Sequence, residues 1–110
     1  MALVIGIDTG GTFTDMVVLD PATGQIVGET VEEQTARVLE NIKAILEAGG
    51  ATMADVVKVT AHLSDLALFE RYNKVYSTYF PDPKPTRTTV GSQLLGILVE
   101  IDAIAYLGDK

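Results

Sequence analysis

The clearest pattern in this 110-residue chain is a run of apolar positions at helical spacing in its first half. Thr30 precedes the run, and Glu33 lies three residues after Thr30. This is the spacing of a capping box at a helix start. Gly49 and Gly50 follow the run, and glycine supplies the left-handed conformation that ends many helices. The sequence therefore predicts an amphipathic helix whose apolar face is made of Val31, Thr35, Val38, Leu39, Ile42, Ile45 and Leu46.

A different period, apolar and polar residues in alternation, follows in Val56–Leu63. The apolar side of this segment consists of Val57, Val59, Ala61 and Leu63, and the polar side of Lys58, Thr60 and His62. A period of two predicts a strand with one face buried and one face exposed. Two further strands are predicted near the end of the chain, at about Arg87–Val90 and Leu98–Leu107. The second is long and apolar, so we expect it in the centre of a sheet.

The first 28 residues predict β structure. Leu3–Ile7 and Phe13–Leu19 are rich in strand-forming residues and flank the turn sequence Asp8-Thr9-Gly10-Gly11-Thr12, which indicates a hairpin. A second turn signal at residues 20–24 precedes a short predicted strand, Gln25–Val27.

A second helix is predicted over roughly Leu66–Tyr79, with Ser64 or Asp65 as its N-cap. Three prolines at positions 81, 83 and 85 end it and favour an extended linker. Its aromatic face, which we interpret as core or subunit contact rather than a cofactor site, consists of Phe69, Tyr72, Tyr76, Tyr79 and Phe80.

The predicted order of elements is a β-hairpin followed by α, β, α, β and β, which indicates an α+β fold with a mixed sheet. Two helices can cover one face of such a sheet, so we expect the other face to need a partner. We expect a single domain over residues 1–110, in which residues 1–28 form an atypical N-terminal β segment.

Composition narrows the classes of function. The net charge of −7 opposes binding to nucleic acid and to anionic membrane surfaces. The chain has no cysteine and a single histidine, His62, which leaves little for a transition-metal site. For His62 we expect a solvent-facing or hydrogen-bonding role rather than a catalytic one. The N-terminus has neither a basic region nor a long apolar run, so the expected location is the cytoplasm.

Three segments between Glu29 and Leu107 carry a family resemblance: VEEQTARVLENIKAIL, then VVKVTAHLSDLALFERYNKVYSTYFPDPKPTRTTVG, then LVEIDAIAYLG. Over about residues 18–107 they resemble the reactive intermediate deaminase family (Rid, also called YjgF-like or L-PSP). The resemblance implies a chorismate-mutase-like fold that assembles as a homotrimer with its sites between subunits. It also implies hydrolysis of reactive imines without a cofactor or metal.

The resemblance gives two residues a catalytic role. PTRTTV is similar to the family's P-x-R-[ST]-x-V segment, whose arginine binds the substrate carboxylate, and this implies that role for Arg87. The residues alone favour a surface arginine at a strand start, and the resemblance reverses that interpretation of Arg87. LVEIDAIA is similar to the family's VEIEAIA segment, whose acid positions or activates water, and this implies that role for Glu100. The alternative for Glu100 is an edge-facing charge or a structural ion pair.

Three further residues complete the expected substrate-binding set. Asn73 lies in RYNKVY, which resembles the family's NxVY segment, although helical geometry alone favours a surface or interhelical position. Thr89 lies two residues after Arg87 in the same segment. Thr14 takes the place of a family serine whose hydroxyl touches substrate. Asp15 then replaces a family glycine, and the family's N-terminal tyrosine has no counterpart.

The N-terminal 24 residues carry a second resemblance. VIGIDTGGTFTDMVVLDPATGQIV is similar to the first hairpin of the hydantoinase and oxoprolinase families, in which this turn binds phosphate. The alternative is that Asp8 and Asp15 only shape a turn, and a nucleotide site of that type needs two large lobes that this chain cannot build.

The leading hypothesis is therefore an enamine/imine deaminase that converts 2-imino acids to 2-keto acids and ammonia. The alternative is a non-catalytic protein of the same fold that binds a small carboxylate or acts as a partner subunit. Phosphate or nucleotide binding at the DTGGTFTD turn is a third hypothesis.

Overall fold

The computed structural model describes residues 2–9 and 30–109 of the chain. These residues form four strands and two α-helices. In chain order they are β1 (Ala2–Thr9), α1 (Val31–Ala48), β2 (Val56–Leu63), α2 (Phe69–Tyr76), β3 (Thr86–Gly91) and β4 (Val99–Asp109). Each predicted strand and helix that falls within the described residues is present.

The four strands form one mixed sheet in the order β1-β4-β2-β3. β4 pairs antiparallel with both β1 and β2, which confirms its predicted central position. β2 and β3 are parallel, and α2 lies in the crossover connection that such a pair requires. β3 has a described neighbour only on its β2 side.

The predicted start and end of α1 are both confirmed. The Thr30 hydroxyl accepts a hydrogen bond from the Glu33 backbone N–H, and Glu33 in turn accepts one from the Thr30 backbone N–H. At the other end, Gly50 has φ +85°, and the Ala51 N–H donates to the Leu46 carbonyl over 2.8 Å. This left-handed glycine turns the chain out of the helix and satisfies carbonyls that the helix leaves unpaired.

Both helices cover one face of the sheet, and the core lies between them. The strand residues on this face are buried, and they include Val59, Ala61, Leu63, Val99, Ile101 and Ala103. From α1 the core receives all the predicted face except Ile45, which is exposed. The opposite sheet face carries half-buried polar residues and exposed Val90, Ile104 and Tyr106.

One predicted face assignment in β2 is wrong. Val57 was expected beside Val59 on the apolar side, but it is exposed and Val56 is buried instead. The pairing of β2 with β4 shifts register between Val56 and Lys58. Because a bulge inserts one residue into the alternation, the residues before it change faces.

The second helix is shorter than predicted. Its regular part, α2, ends at Tyr76, and residues 66–68 before it form a single 3₁₀ turn. Asp65 caps that turn by accepting a hydrogen bond from the Ala67 N–H over 2.9 Å. A 3₁₀ turn at a helix start is common, and it leaves Leu66 more than half exposed.

Several predictions fall outside the described residues. These are the second hairpin strand, the strand Gln25–Val27 and the turn at Gly10 and Gly11. Thr14 and Asp15 lie there as well. Neither described helix has the length and apolar character needed to cross a membrane.

Candidate functional site

Arg87 lies near the start of β3, directly after the proline-rich linker. In the sheet it pairs with Val59 of β2, which is fully buried beneath the helices. Because paired residues share a face, Arg87 projects toward the helix-covered side of the sheet. The side chain is half-buried at the edge of the core.

Three aromatic rings of the second helix surround the Arg87 guanidinium. Its central carbon lies 4.5 Å from the Tyr76 ring centroid, 5.3 Å from that of Phe69 and 5.7 Å from that of Tyr72. Each distance is within the range of a cation–π contact. The rings also stack in sequence, with 5.9 Å between the centroids of Phe69 and Tyr72 and 5.5 Å between those of Tyr72 and Tyr76. The guanidinium is therefore held against a preformed aromatic wall.

Asn73 fixes the orientation of the same side chain. The Arg87 Nη1–H donates to Asn73 Oδ1 over 2.6 Å. The Tyr72 hydroxyl also lies near enough to interact with the guanidinium, and no ion pair to Arg87 is present among the residues that the structure describes. A guanidinium carries five N–H donors, so most of its hydrogen-bonding capacity stays available for a planar anion.

Buried hydroxyl groups lie on the residues next to the guanidinium. Tyr72 and Tyr76 are almost fully buried, and neither phenol oxygen has a hydrogen-bond partner within the described residues. The hydroxyl of Thr89 is buried and unpartnered in the same way. Burial raises the pKa of Tyr72, and it raises that of Tyr76 to about 12, with the nearby Arg87 charge offsetting part of each rise. Both phenols therefore stay protonated at neutral pH.

Glu100 does not join this cluster within one chain. It lies in β4 directly opposite His62 of β2, whereas Arg87 is opposite Val59. Val59 and His62 are three positions apart, so they face opposite sides of the sheet. Glu100 is half-buried on the face that the helices leave uncovered.

His62 has a defined partner on that uncovered face. Its Nδ1 lies 2.8 Å from the Ser92 hydroxyl, just beyond the end of β3. The hydrogen bond expected of His62 is therefore present.

Of the five predicted site residues, the structure brings Arg87 and Asn73 into contact and places Thr89 in the same strand. Thr14 lies outside the described residues. The three aromatic side chains around the guanidinium were expected only as core or subunit contacts. One signal in the sequence could have indicated a polar role for this face. Phenylalanine or leucine would pack equally well at positions 72 and 76, yet both are tyrosine.

The described residues form no metal site, and the groove they contain lies away from Arg87. They contain no group of three or more histidine, aspartate or glutamate residues close enough to hold a metal ion. An open groove with a volume of about 490 Å³ contains none of the predicted site residues. It is lined by Lys43, Glu47, Thr52, Met53, Ala54, Thr78, Tyr79 and Pro81.

Comparison with known proteins identifies the family of this chain. The family model described as endoribonuclease L-PSP matches residues 12–107. A RutC family protein of Pyrococcus abyssi is 53% identical over 90 residues, which span 80% of this chain and 71% of the relative. Reactive Intermediate Deaminase A of Arabidopsis thaliana, a chloroplast protein, is 47% identical over 91 residues, or 81% of this chain and 49% of the relative.

Solved structures share the fold over nearly the whole chain. A crystal structure of a Thermotoga maritima protein superposes with a TM-score of 0.79 at 44% identity, covering 98% of this chain and 85% of that one. The crystal structure of RidA from an Antarctic Psychrobacter superposes with a TM-score of 0.76 at 36% identity, covering 93% and 80%.

Proposed function

This chain belongs to the L-PSP family, which is the Rid family named in the sequence analysis, and we propose that it hydrolyses 2-imino acids to 2-keto acids and ammonia. The observation that carries the proposal is the Arg87 guanidinium, which Asn73 and three aromatic rings hold in place while most of its donors stay available. A fixed planar fork of this kind matches the two oxygens of a carboxylate. The α-carboxylate of an imino acid is such a group.

The binding of the carboxylate orients the reacting atoms. An imine carbon next to a carboxylate is already electrophilic, so the protein has to position it and activate water. Thr89 contributes a hydroxyl beside the bound carboxylate, and Thr14 contributes a second one to the substrate. Glu100 accepts a proton from the attacking water, whose oxygen forms the new bond to the imine carbon.

The proposal requires more than one copy of the chain. Arg87 and Glu100 lie on opposite faces of one sheet, so a single chain cannot present both to one small molecule. In a trimer, Arg87 of one chain and Glu100 of the partner subunit can face the same cleft. The uncovered sheet face, with Val90, Ile104 and Tyr106 exposed, is the surface available for that association.

The same separation favours a second candidate function. If the copies associate in another way, Arg87 and Asn73 still bind the carboxylate of a ligand, but Glu100 does not lie next to that ligand. The protein then acts as a non-catalytic binder of small carboxylates. Asp15, where the family pattern has glycine, supports this candidate because it adds negative charge to a site for anions.

Cleavage of RNA, which the family description names, is a less suitable function for this chain. A net charge of −7 repels a polyphosphate backbone, and binding to it depends on clustered lysine and arginine. We propose that the partner is a small carboxylate rather than nucleic acid. Incubation with single-stranded RNA should leave the RNA intact.

An assay of ammonia release tests the proposal. An amino acid oxidase generates a 2-imino acid in situ, and the rate at which ammonia and 2-keto acid appear is measured with and without the protein. We expect the wild-type protein to accelerate release and Arg87→Ala to abolish the acceleration. Acceleration that survives in Arg87→Ala contradicts the carboxylate role, and binding without acceleration favours the second candidate.

A further inference from the structure

The uncovered sheet face brings three chemically active side chains close together outside the Arg87 cluster. His62 and Glu100 are direct cross-strand partners in β2 and β4. Ser92 lies beyond the end of β3, and its hydroxyl is 2.8 Å from His62 Nδ1. We infer that His62, held by Ser92, is a second catalytic residue that donates a proton to the imine nitrogen. This inference rests on the proposed function, because it assumes that the imine carbon lies beside Glu100.

The pairing sets the distance between the two groups. Directly opposed residues in an antiparallel pair have their Cβ atoms about 4.5–5.5 Å apart, so a small molecule that touches the Glu100 carboxylate is within reach of the imidazole. Both side chains are half-buried on the same face. Thr60 and Asp102, the next pair along the same two strands, also lie on this face.

The hydrogen bond to Ser92 leaves one ring nitrogen for chemistry. With Nδ1 bonded to the hydroxyl, Nε2 has no hydrogen-bond partner among the described residues. A ring held at one nitrogen has a fixed orientation, which is how histidine is positioned in many acid–base sites. Lys58, Glu100 and Asp102 are charged residues on the same face, and Asp8 of β1 pairs with Asp102.

The reaction balances with these two groups alone. As water adds to the imine carbon, the C=N electron pair moves to nitrogen, which takes a proton from protonated His62, while Glu100 takes a proton from the water. In the second step Glu100 returns its proton to the amine nitrogen and the C–N bond breaks. His62 takes the hydroxyl proton as the C=O bond forms. Ammonia and a 2-keto acid leave, and both side chains regain their starting protonation.

Chemical rescue distinguishes this role from a structural one. In the ammonia-release assay we expect His62→Ala to lower kcat by about 100-fold, with little change in KM, and added imidazole to restore part of the loss. Ser92→Ala should lower kcat by a smaller factor that imidazole does not restore, because the ring is still present. Thr60→Ala, on the same strand and face, is the matched control and should keep wild-type kcat.

The outcomes separate the inference from the proposed function. Wild-type protein that releases no ammonia removes the proposed function and the inference with it. Wild-type activity with an unchanged kcat in His62→Ala overturns the inference alone. A folded His62→Ala protein, checked by circular dichroism, whose lost activity imidazole does not restore also overturns it.

A binding measurement gives a readout that does not depend on turnover. His62 is the only histidine, so its ring gives a single set of NMR resonances. Pyruvate, a 2-keto acid product, should shift these resonances as it binds to the wild-type protein. Saturating pyruvate binding with unmoved His62 resonances shows that the imidazole is not at the site.

Discussion

Asn73 and Arg87 are joined by a 2.6 Å hydrogen bond from the guanidinium to the amide oxygen, which links the second helix to the third strand. The amide is neutral, so it orients the guanidinium without neutralising its charge. An acidic residue at this position would form an ion pair and compete with an anionic ligand. A neutral acceptor is therefore the residue type that suits an arginine kept available for a carboxylate.

This relationship predicts the effect of charge at position 73. Asn73→Asp should weaken pyruvate binding by about tenfold, because the new carboxylate pairs with Arg87 and offsets its charge. Asn73→Ala removes the orienting bond but adds no charge, so it should weaken binding less. Isothermal titration calorimetry on both variants checks the order. Equal affinities in Asn73→Asp and wild type would show that Arg87 does not bind the carboxylate.

A second prediction concerns Glu100, the proposed general base. Glu100→Gln keeps the shape of the side chain but cannot accept a proton, so kcat should fall by about 100-fold. KM should change little, because Glu100 is expected to act on water rather than to hold the substrate. Steady-state kinetics of ammonia release measures both constants. A large rise in KM with kcat unchanged would assign Glu100 to binding instead.

A third prediction concerns assembly. Because Arg87 and Glu100 lie on opposite faces of the sheet, activity requires association of copies, and we expect a trimer. Light scattering at micromolar protein concentration should give three times the chain mass of 11.7 kDa. Ile104→Lys, on the uncovered sheet face, should lower the mass and the activity together. A fully active monomer would contradict the intersubunit site.

A fourth prediction concerns stability at alkaline pH. Burial, and then the neighbouring Tyr72, raise the pKa of Tyr76 to about 12, whereas an unfolded tyrosine ionises near pH 10. The folded state therefore keeps its full contribution from this group below about pH 10 and loses it as pH rises from about 10 through 12. In Tyr76→Phe that loss is absent. Urea denaturation of both proteins at about pH 9 and about pH 11 should show a smaller drop for the variant.

The sequence predicted which helices and strands form, but it did not predict every residue's exposure. The capping box at Thr30 and the glycine pair after α1 are local signals, so both ends of the helix are where they were expected. The central position of β4 followed from its length and apolar character. The exposure of Val57 did not follow from the sequence, because it depends on a register shift that arises only when β2 pairs with β4.

The site was partly predictable for a similar reason. Arg87 and Asn73 could be named from short segments, but their contact depends on α2 packing over β3. The contact of the aromatic wall with Arg87 also depends on that packing. In the sequence, a helical stripe of tyrosines is equally consistent with a purely structural core. The separation of Arg87 from Glu100 depends on strand register, which no local pattern specifies.

The most direct test of the account is a crystal structure of the assembled protein with pyruvate bound. We expect the pyruvate carboxylate to accept two hydrogen bonds from Arg87, with Asn73 still bonded to the same guanidinium. We also expect Glu100 of the partner subunit to face the carbonyl carbon across the cleft. Pyruvate bound away from Arg87, or an assembly that leaves Arg87 and every copy of Glu100 in separate clefts, would contradict it.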